Sequence, residues 1–309
     1  MRDPWLVARA LRARRIPVPA VGAVPANAVE ATVAGEVERW LVKPRASGGG
    51  HGVRVWEHST STDRGFPRRC YLQELIEGTP GSVMFVAAEG RAMPLGIFRQ
   101  LIGEPAFGAK DYQYCGNILA SADDPPFAHD QVLVERACML ASAIAEEFDL
   151  VGVNGIDFVA RGGVPYPTEV NPRWSASMEL AERAYDVSVF GMHASACSIG
   201  TLPQFDLMKA RRSGGAIGKA VVFARRDVVM GDTRAWLGDA TVRDVPHPGE
   251  RIPAGRPVCT VFANGADSTA CHAALVERAQ RVYSDLESRN MECGIWNVGK
   301  IGRVSWTEG

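Results

Sequence analysis

The stretch Asn154-Gly155-Ile156-Asp157-Phe158-Val159-Ala160, then Arg161-Gly162-Gly163, then Pro165-Tyr166-Pro167-Thr168-Glu169-Val170-Asn171-Pro172-Arg173, decides the reading of this chain. Apolar residues alternate with others on both sides of a glycine turn, the pattern of two strands in a hairpin. Residues two apart on a strand share a face, so Glu169 and Asn171 are neighbours. A turn around Gly163 puts Asp157 opposite Glu169 on that face. Two carboxylates so close repel unless a cation or proton lies between them. With an amide oxygen beside them they form a hard-oxygen set suited to Mg2+, which bridges carboxylates and nucleotide phosphates. Arg173 stands ready for a phosphate oxygen or developing negative charge, where its planar fork is useful. A solvated polar hairpin face would show the same alternation, so a second signal has to separate the two readings.

That signal lies upstream. Trp40-Leu41-Val42-Lys43-Pro44 reads as a short strand stopped by proline, Ser47-Gly48-Gly49-Gly50-His51-Gly52 as a glycine-dense loop, and Val53-Arg54-Val55-Trp56 as a second strand. Repeated glycine lets backbone N–H groups approach a phosphate closely, and a lysine adds a point charge. With no helix after the loop, neither the P-loop nor the dinucleotide fingerprint applies. Taken alone the loop is equally readable as a surface turn. Both clusters in one chain favour a site for a metal and a nucleotide.

Around these clusters the fold reads as α+β and mainly antiparallel. Asp3-Pro4-Trp5 is an N-cap with proline at the first helical position, and the helix runs to about Arg14 before Ile16-Pro17-Val18-Pro19. Cys70 to Ile76 is a strand, and Ser82 to Ala88 with Ala92 to Arg99 a hairpin across Glu89-Gly90. Helical periodicity covers Gln131 to Phe148, Ser177 to Tyr185 and Val187 to Ile199. Composition shifts near Ser213-Gly214-Gly215, which divides the chain into residues 1–212 and a β-rich unit, 213–309. That second unit holds strands from Lys219 to Ala224 and Pro257 to Ala263, and a helix from about Ser268 to Ser288.

Lys and Arg number 34 against 35 Asp and Glu, a net charge of −1, so whole-molecule attraction to nucleic acid or anionic lipid does not organise this protein. No apolar run approaches the roughly 20 residues needed to span a bilayer. Charge interrupts every apolar pair in the first 15 residues, which excludes a signal-peptide core there. Seven widely spaced cysteines without a CxxC pair fit reduced thiols in the cytoplasm better than disulfides or a zinc site.

Lys43, then Gly48 to Val53, then Gln73-Glu74-Leu75-Ile76-Glu77-Gly78, then Asp157, then Glu169-Val170-Asn171-Pro172-Arg173 resemble the successive elements of the ATP-grasp superfamily, over about residues 1 to 200. The resemblance implies antiparallel sheets with helices, a lid at about residues 40–75, and a C-terminal region similar to carboligases related to biotin carboxylase. It implies that Lys43 contacts the nucleotide and assists catalysis, and that Gly49, Gly50, His51 and Gly52 close over the phosphates. The main chain of Gln73, Glu74, Leu75 and Ile76 would hold the adenine edge. Asp157, Glu169 and Asn171 would hold Mg2+, with Mn2+ as an alternative ion, and Arg173 would serve the acyl phosphate. Arg99 and Lys110, in a polar and aromatic stretch, are candidate substrate contacts.

The implied activity is a ligase forming C–N bonds from small-molecule carboxylate and amine substrates, without nucleic acid or membrane. More narrowly, the chain is similar to ATP-grasp proteins of methylotrophs that build one-carbon carrier cofactors, as in the glutamate-ligating step of methylofuran synthesis. Such enzymes usually carry an N-terminal α/β domain ahead of the segment that begins here. Its lack implies a late start, or a partner subunit or second copy that supplies the missing wall. A carboxylating ligase that activates bicarbonate, and a nucleotide-binding partner subunit without catalysis, stand as alternatives.

Overall fold

Asp3 caps the first helix, α1 (Pro4–Ala13), by accepting hydrogen bonds from the N–H groups of Trp5 and Leu6 at 3.0 and 3.3 Å. Pro4 enters where its missing N–H has no partner to lose. The structure, a computed structural model, describes residues 3–24, 39–46, 48–56, 69–124, 126–127, 129–202, 204–212 and 214–292. Ser47, at the head of the glycine loop, and Ser213, at the composition shift, lie outside them.

Four short strands, β1 (Val21–Ala23), β2 (Trp40–Pro44), β3 (Arg54–Val55) and β4 (Cys70–Glu74), form a small antiparallel sheet in the order β1-β4-β2-β3. Its core is Val24, Trp40, Val42, Cys70 and Leu72. β1, outside residues 40–75, belongs to this small sheet as well.

The second sheet has eight strands: β5 (Thr79–Ala88), β6 (Arg91–Ile102), β7 (Tyr114–Ala120), β8 (Gly152–Arg161), β9 (Val164–Asn171), β10 (Ala216–Phe223), β12 (Val242–Arg243) and β14 (Pro257–Gly265). Their order is β12-β14-β10-β7-β6-β5-β8-β9, and the pairings are antiparallel throughout. β11 (Val228–Val229) and β13 (Arg251–Ile252) make a separate ribbon. The sheet crosses residue 212, because β10 pairs with β7 through Lys219 and Asn117. The strands of the β-rich stretch are thus hydrogen-bonded to those before it.

Alternation sorts the side chains of this sheet onto two faces. Val83, Phe85, Ile97, Ile156 and Phe158 face α2 (Asp130–Glu147), whose Leu133, Ala137, Leu140 and Ile144 pack into the same core. Ile118, Ala220, Val222 and Val261 pack with Cys271, Leu275, Ala279 and Val282 of a long C-terminal helix, Ser268–Glu292. The other face carries Met84, Val86, Leu95, Phe98, Leu119, Val153 and Phe262. It packs against α3 (Met178–Tyr185) and α4 (Val189–Ile199). Two further short helices are α5 (Leu207–Ala210) and α6 (Arg234–Leu237), and the C-terminal helix is α7. Among the described residues no helix is long and apolar enough to cross a membrane.

β9 is the edge strand beside β8, and its Pro165 and Pro167 lack the N–H groups a central strand would need. The register slips there: Asp157 faces Glu169, but Phe158 faces Pro167, which leaves Thr168 as the extra residue of a β-bulge. Behind Asp157, the Phe158 ring packs on Phe127 with centroids 6.0 Å apart. A Cβ at Gly81 would lie 2.7 Å from the Phe127 ring and 2.8 Å from that of Phe158, so the two rings use the space a larger residue would fill. Replacing Phe158 by Ala should lower unfolding stability by about 3–5 kcal/mol, read from the guanidinium midpoint, because the Phe127 ring packed against it limits collapse around the cavity.

Candidate functional site

The bulge decides where the site forms. Freed from the ladder, the Thr168 carbonyl accepts hydrogen bonds from Lys43 Nζ at 3.5 Å and Gln73 Nε2 at 3.4 Å, while Lys43 Nζ also donates to Gln73 Oε1 at 3.0 Å. Lys43 lies on β2 and Gln73 on β4, so these contacts join the small sheet to the carboxylate hairpin of the large one. Burial lowers the Lys43 ammonium from its ordinary range, while Glu169 and, less strongly, Asp157 hold it up.

Asp157 and Glu169 are cross-strand partners. Asp157 Oδ1 accepts from Gln100 Nε2 at 2.8 Å, and its Oδ2 accepts from Asn171 Nδ2 at 3.0 Å. Asn171 is buried; its amide oxygen accepts from Arg173 Nη2 at 3.2 Å. Arg173 is exposed and also donates from Nη1 to the Trp174 carbonyl at 3.0 Å. Glu169 is exposed as well, so one carboxylate is sheltered and the other open. Burial first, and then the charge of Glu169, push the Asp157 carboxyl up to about 7, against Lys43 and the hydrogen bonds from Gln100 and Asn171.

The structure therefore brings together Lys43, Gln73, Asp157, Glu169, Asn171 and Arg173. Among the described residues no group of three or more His, Cys, Asp or Glu side chains could hold a metal ion. The oxygen set is two carboxylates and one amide, and its chemistry fits Mg2+ completed by ligand or water oxygens.

The glycine loop rests on the segment before β7. Gly49 carbonyl accepts from Tyr114 N–H at 3.0 Å, and a Cβ at Gly50 would fall 1.8 Å from the Tyr112 carbonyl oxygen. Gly50 has φ +78°, so only glycine combines this conformation with this approach. His51 and Gly52 are exposed. In the segment Gln73 to Ile76, the N–H of Glu74 already donates to Ala20 and that of Leu75 to Arg39, both at 2.9 Å. Glu74 Oε2 accepts from the Ala20 N–H at 2.9 Å.

Arg99 and Lys110 do not join the cluster. Arg99 lies on the opposite side of β6 from Gln100, and Lys110 is exposed in the loop before β7. Gln100 is the residue that sequence reasoning passed over, although alternation from Phe98 would have chosen it. Asn117, the cross-strand partner of Gln100, was passed over too. It accepts from the Tyr114 hydroxyl through Oδ1, while its Nδ2 is buried without a partner among the described residues.

A family model described as the ATP-grasp domain matches residues 1–177. The carbamoyl phosphate synthase large chain of Myxococcus xanthus is 28% identical over 192 residues, covering 59% of this chain and 16% of its own. The chain thus spans about one-sixth of that relative's length. Biotin carboxylase from Campylobacter jejuni shares the fold with a TM-score of 0.60 at 13% identity, over 86% of this chain and 63% of that one. The L-amino acid ligase from Bacillus licheniformis does so with a TM-score of 0.64 at 12% identity, over 93% and 71%.

One expectation follows for Asp157 itself. With its carboxyl raised from the ordinary 3.8 to about 7 by folding, the native state holds more protons than the unfolded chain between those values. Stability then falls as pH rises through that window. In melts with EDTA, Asp157→Asn should gain in Tm relative to the wild type as pH goes from about 5 to about 8. A constant difference across that range would contradict the buried charge.

Proposed function

The chain belongs to the ATP-grasp family, and from that premise we propose that it is an ATP- and Mg2+-dependent ligase joining a small-molecule carboxylate to an amine. The observation that carries this reading is the side-by-side pair Asp157 and Glu169 with the Lys43 ammonium held beside their hairpin at the Thr168 carbonyl. A nucleotide triphosphate tail supplies the negative charge that Lys43, Arg173 and the glycine loop are built to meet. Asp157, Glu169 and the Asn171 amide oxygen would hold Mg2+, which would supply charge neutralisation for phosphate oxygens.

In the proposed reaction, a carboxylate oxygen of the substrate attacks the γ-phosphorus of ATP, giving an acyl phosphate and ADP. An amine then displaces phosphate. The chain's share is positioning and charge neutralisation, which needs no nucleophilic serine or cysteine. Arg173 orients the acyl phosphate, and Gln100 fixes the Asp157 carboxylate. With the Glu74 and Leu75 N–H groups engaged, the adenine edge is left to the Ile76 N–H and the segment's carbonyls.

The named activities of the similar proteins support ligation without selecting a substrate. Synthesis of a one-carbon carrier cofactor in the cytoplasm, with a second copy or partner subunit completing the acceptor side, is our narrower proposal. It rests on the likeness of motifs. Activation of bicarbonate is the second reading, favoured by the fold shared with biotin carboxylase.

An ADP-release screen over carboxylates and amines, glutamate and tyramine included, tests the proposal. Release should require one carboxylate, one amine and Mg2+, and fall below about 1% of wild type in Glu169→Gln, whose exposed position leaves the fold unchanged. ADP release driven by bicarbonate without any amine would support the second reading. Full activity in Glu169→Gln would refute the metal assignment.

A further inference from the structure

The face that carries Asp157 also holds a second feature, several strands across the sheet. A cavity of about 410 Å3 opens where β7, β10 and β14 meet α3 and the segment after α5. Its walls include Leu119, Arg183, Tyr185, Arg211, Ile217 and Asn264. Leu119 pairs with Ile217 two residues along from the pair Asn117 and Lys219, so cavity and metal hairpin share one side of the sheet. The volume is that of a small-molecule site.

The charge of the walls is one-sided. Two guanidinium groups line the cavity, and no Asp or Glu does among the described residues. Arg211, only 2% exposed, is held through Nη2 by both oxygens of Asp130 at 2.8 and 2.7 Å. Its Nε–H is buried without a partner among the described residues, a donor aligned by a fixed side chain. Arg183 stacks on the Phe262 ring at 4.0 Å and binds Glu179 at 2.8 Å. Lys219 binds the same carboxylate at 2.8 Å and lies over the same ring. Two cations thus share one Glu179, and the surplus positive charge lies between the cavity and Asn117. The positive charge left over where Arg183 and Lys219 share Glu179 selects an anion and repels an ammonium. Leu119, Tyr185 and Ile217 give an apolar body somewhere to pack.

We propose that this cavity is the subsite that anchors the ligase substrate by a carboxylate other than the reacting one. It takes a small, apolar-bodied molecule whose anchoring carboxylate meets Arg183 and Arg211 while the reacting end points along the sheet toward Asp157. The assignment rests on the ligase reading for the second end and on the cavity alone for the first.

The test has two arms. In saturation-transfer NMR on the full chain, benzoate should receive saturation and benzylamine, of the same shape and opposite charge, should not. Ala184→Trp, at the exposed rim, and Arg183→Met should each abolish the benzoate signal. In the kinetic arm, on the substrate pair found by ADP release, both variants should raise the carboxylate KM about tenfold with the ATP KM unchanged. Equal signals from benzylamine, or benzoate binding that survives both variants, would overturn the subsite. So would an unchanged carboxylate KM in both variants while the wild type turns over. A wild type that releases no ADP with any pair, yet binds benzoate in this charge-selective way, would remove the ligase reading and leave the anion site standing.

Discussion

Two carboxylates held on neighbouring strands repel each other, and much of the architecture exists to keep them together. Asp157 sits inside and Glu169 outside, an arrangement that spreads the cost unequally. Lys43 is held beside their hairpin, Gln100 and Asn171 donate to the inner one, and folding still drives the Asp157 carboxyl up to about 7. A site made this way binds a proton or a cation more readily than it stays bare. An apolar pair at these positions would avoid that cost.

The bulge at Thr168 gives this pair its connection to the small sheet. A regular strand would have turned the Thr168 carbonyl into the ladder. Instead it meets Lys43 and Gln73, which come from a different sheet. The glycine loop makes a second contact between the two sheets at Tyr114, itself close enough to Asp157 for that charge to help raise its hydroxyl above the ordinary range, after burial. Small sheet, loop and carboxylates are thus mechanically linked by a few polar contacts, the kind that exchange readily when a charged ligand enters.

Local chemistry made much of this legible. Asp3 with Pro4, the glycine turn at Gly163, and the spacing of Glu169 and Asn171 each carry their meaning in adjacent residues, whereas the turn alone would pair Asp157 with Thr168 and only the bulge brings it opposite Glu169. What could not be read were relations between distant segments. Nothing near Lys219 says that its strand will pair with Asn117, so residues 213–309 look like a unit of their own until the sheet is seen. The engagement of Glu74 and Leu75 by Ala20 and Arg39 is equally remote in sequence. Gln100 is a different kind of omission. Arg99 attracted notice as a charge, whereas the parity of β6, set by Phe98, gives the inward position to its neutral neighbour.

Among the described residues, the strand that carries Glu169 and Asn171 is also the last one in its sheet. An unpaired border of main-chain amides invites recruitment by a passing polypeptide, the first step toward runaway self-assembly. Pro165 and Pro167 delete two of those amides, and the kink at Thr168 twists the rest out of line. The same few residues that shape the carboxylate rim therefore keep it clear of foreign backbone. Substituting those prolines by residues with a free N–H would trade a solvent-open rim for an adhesive one.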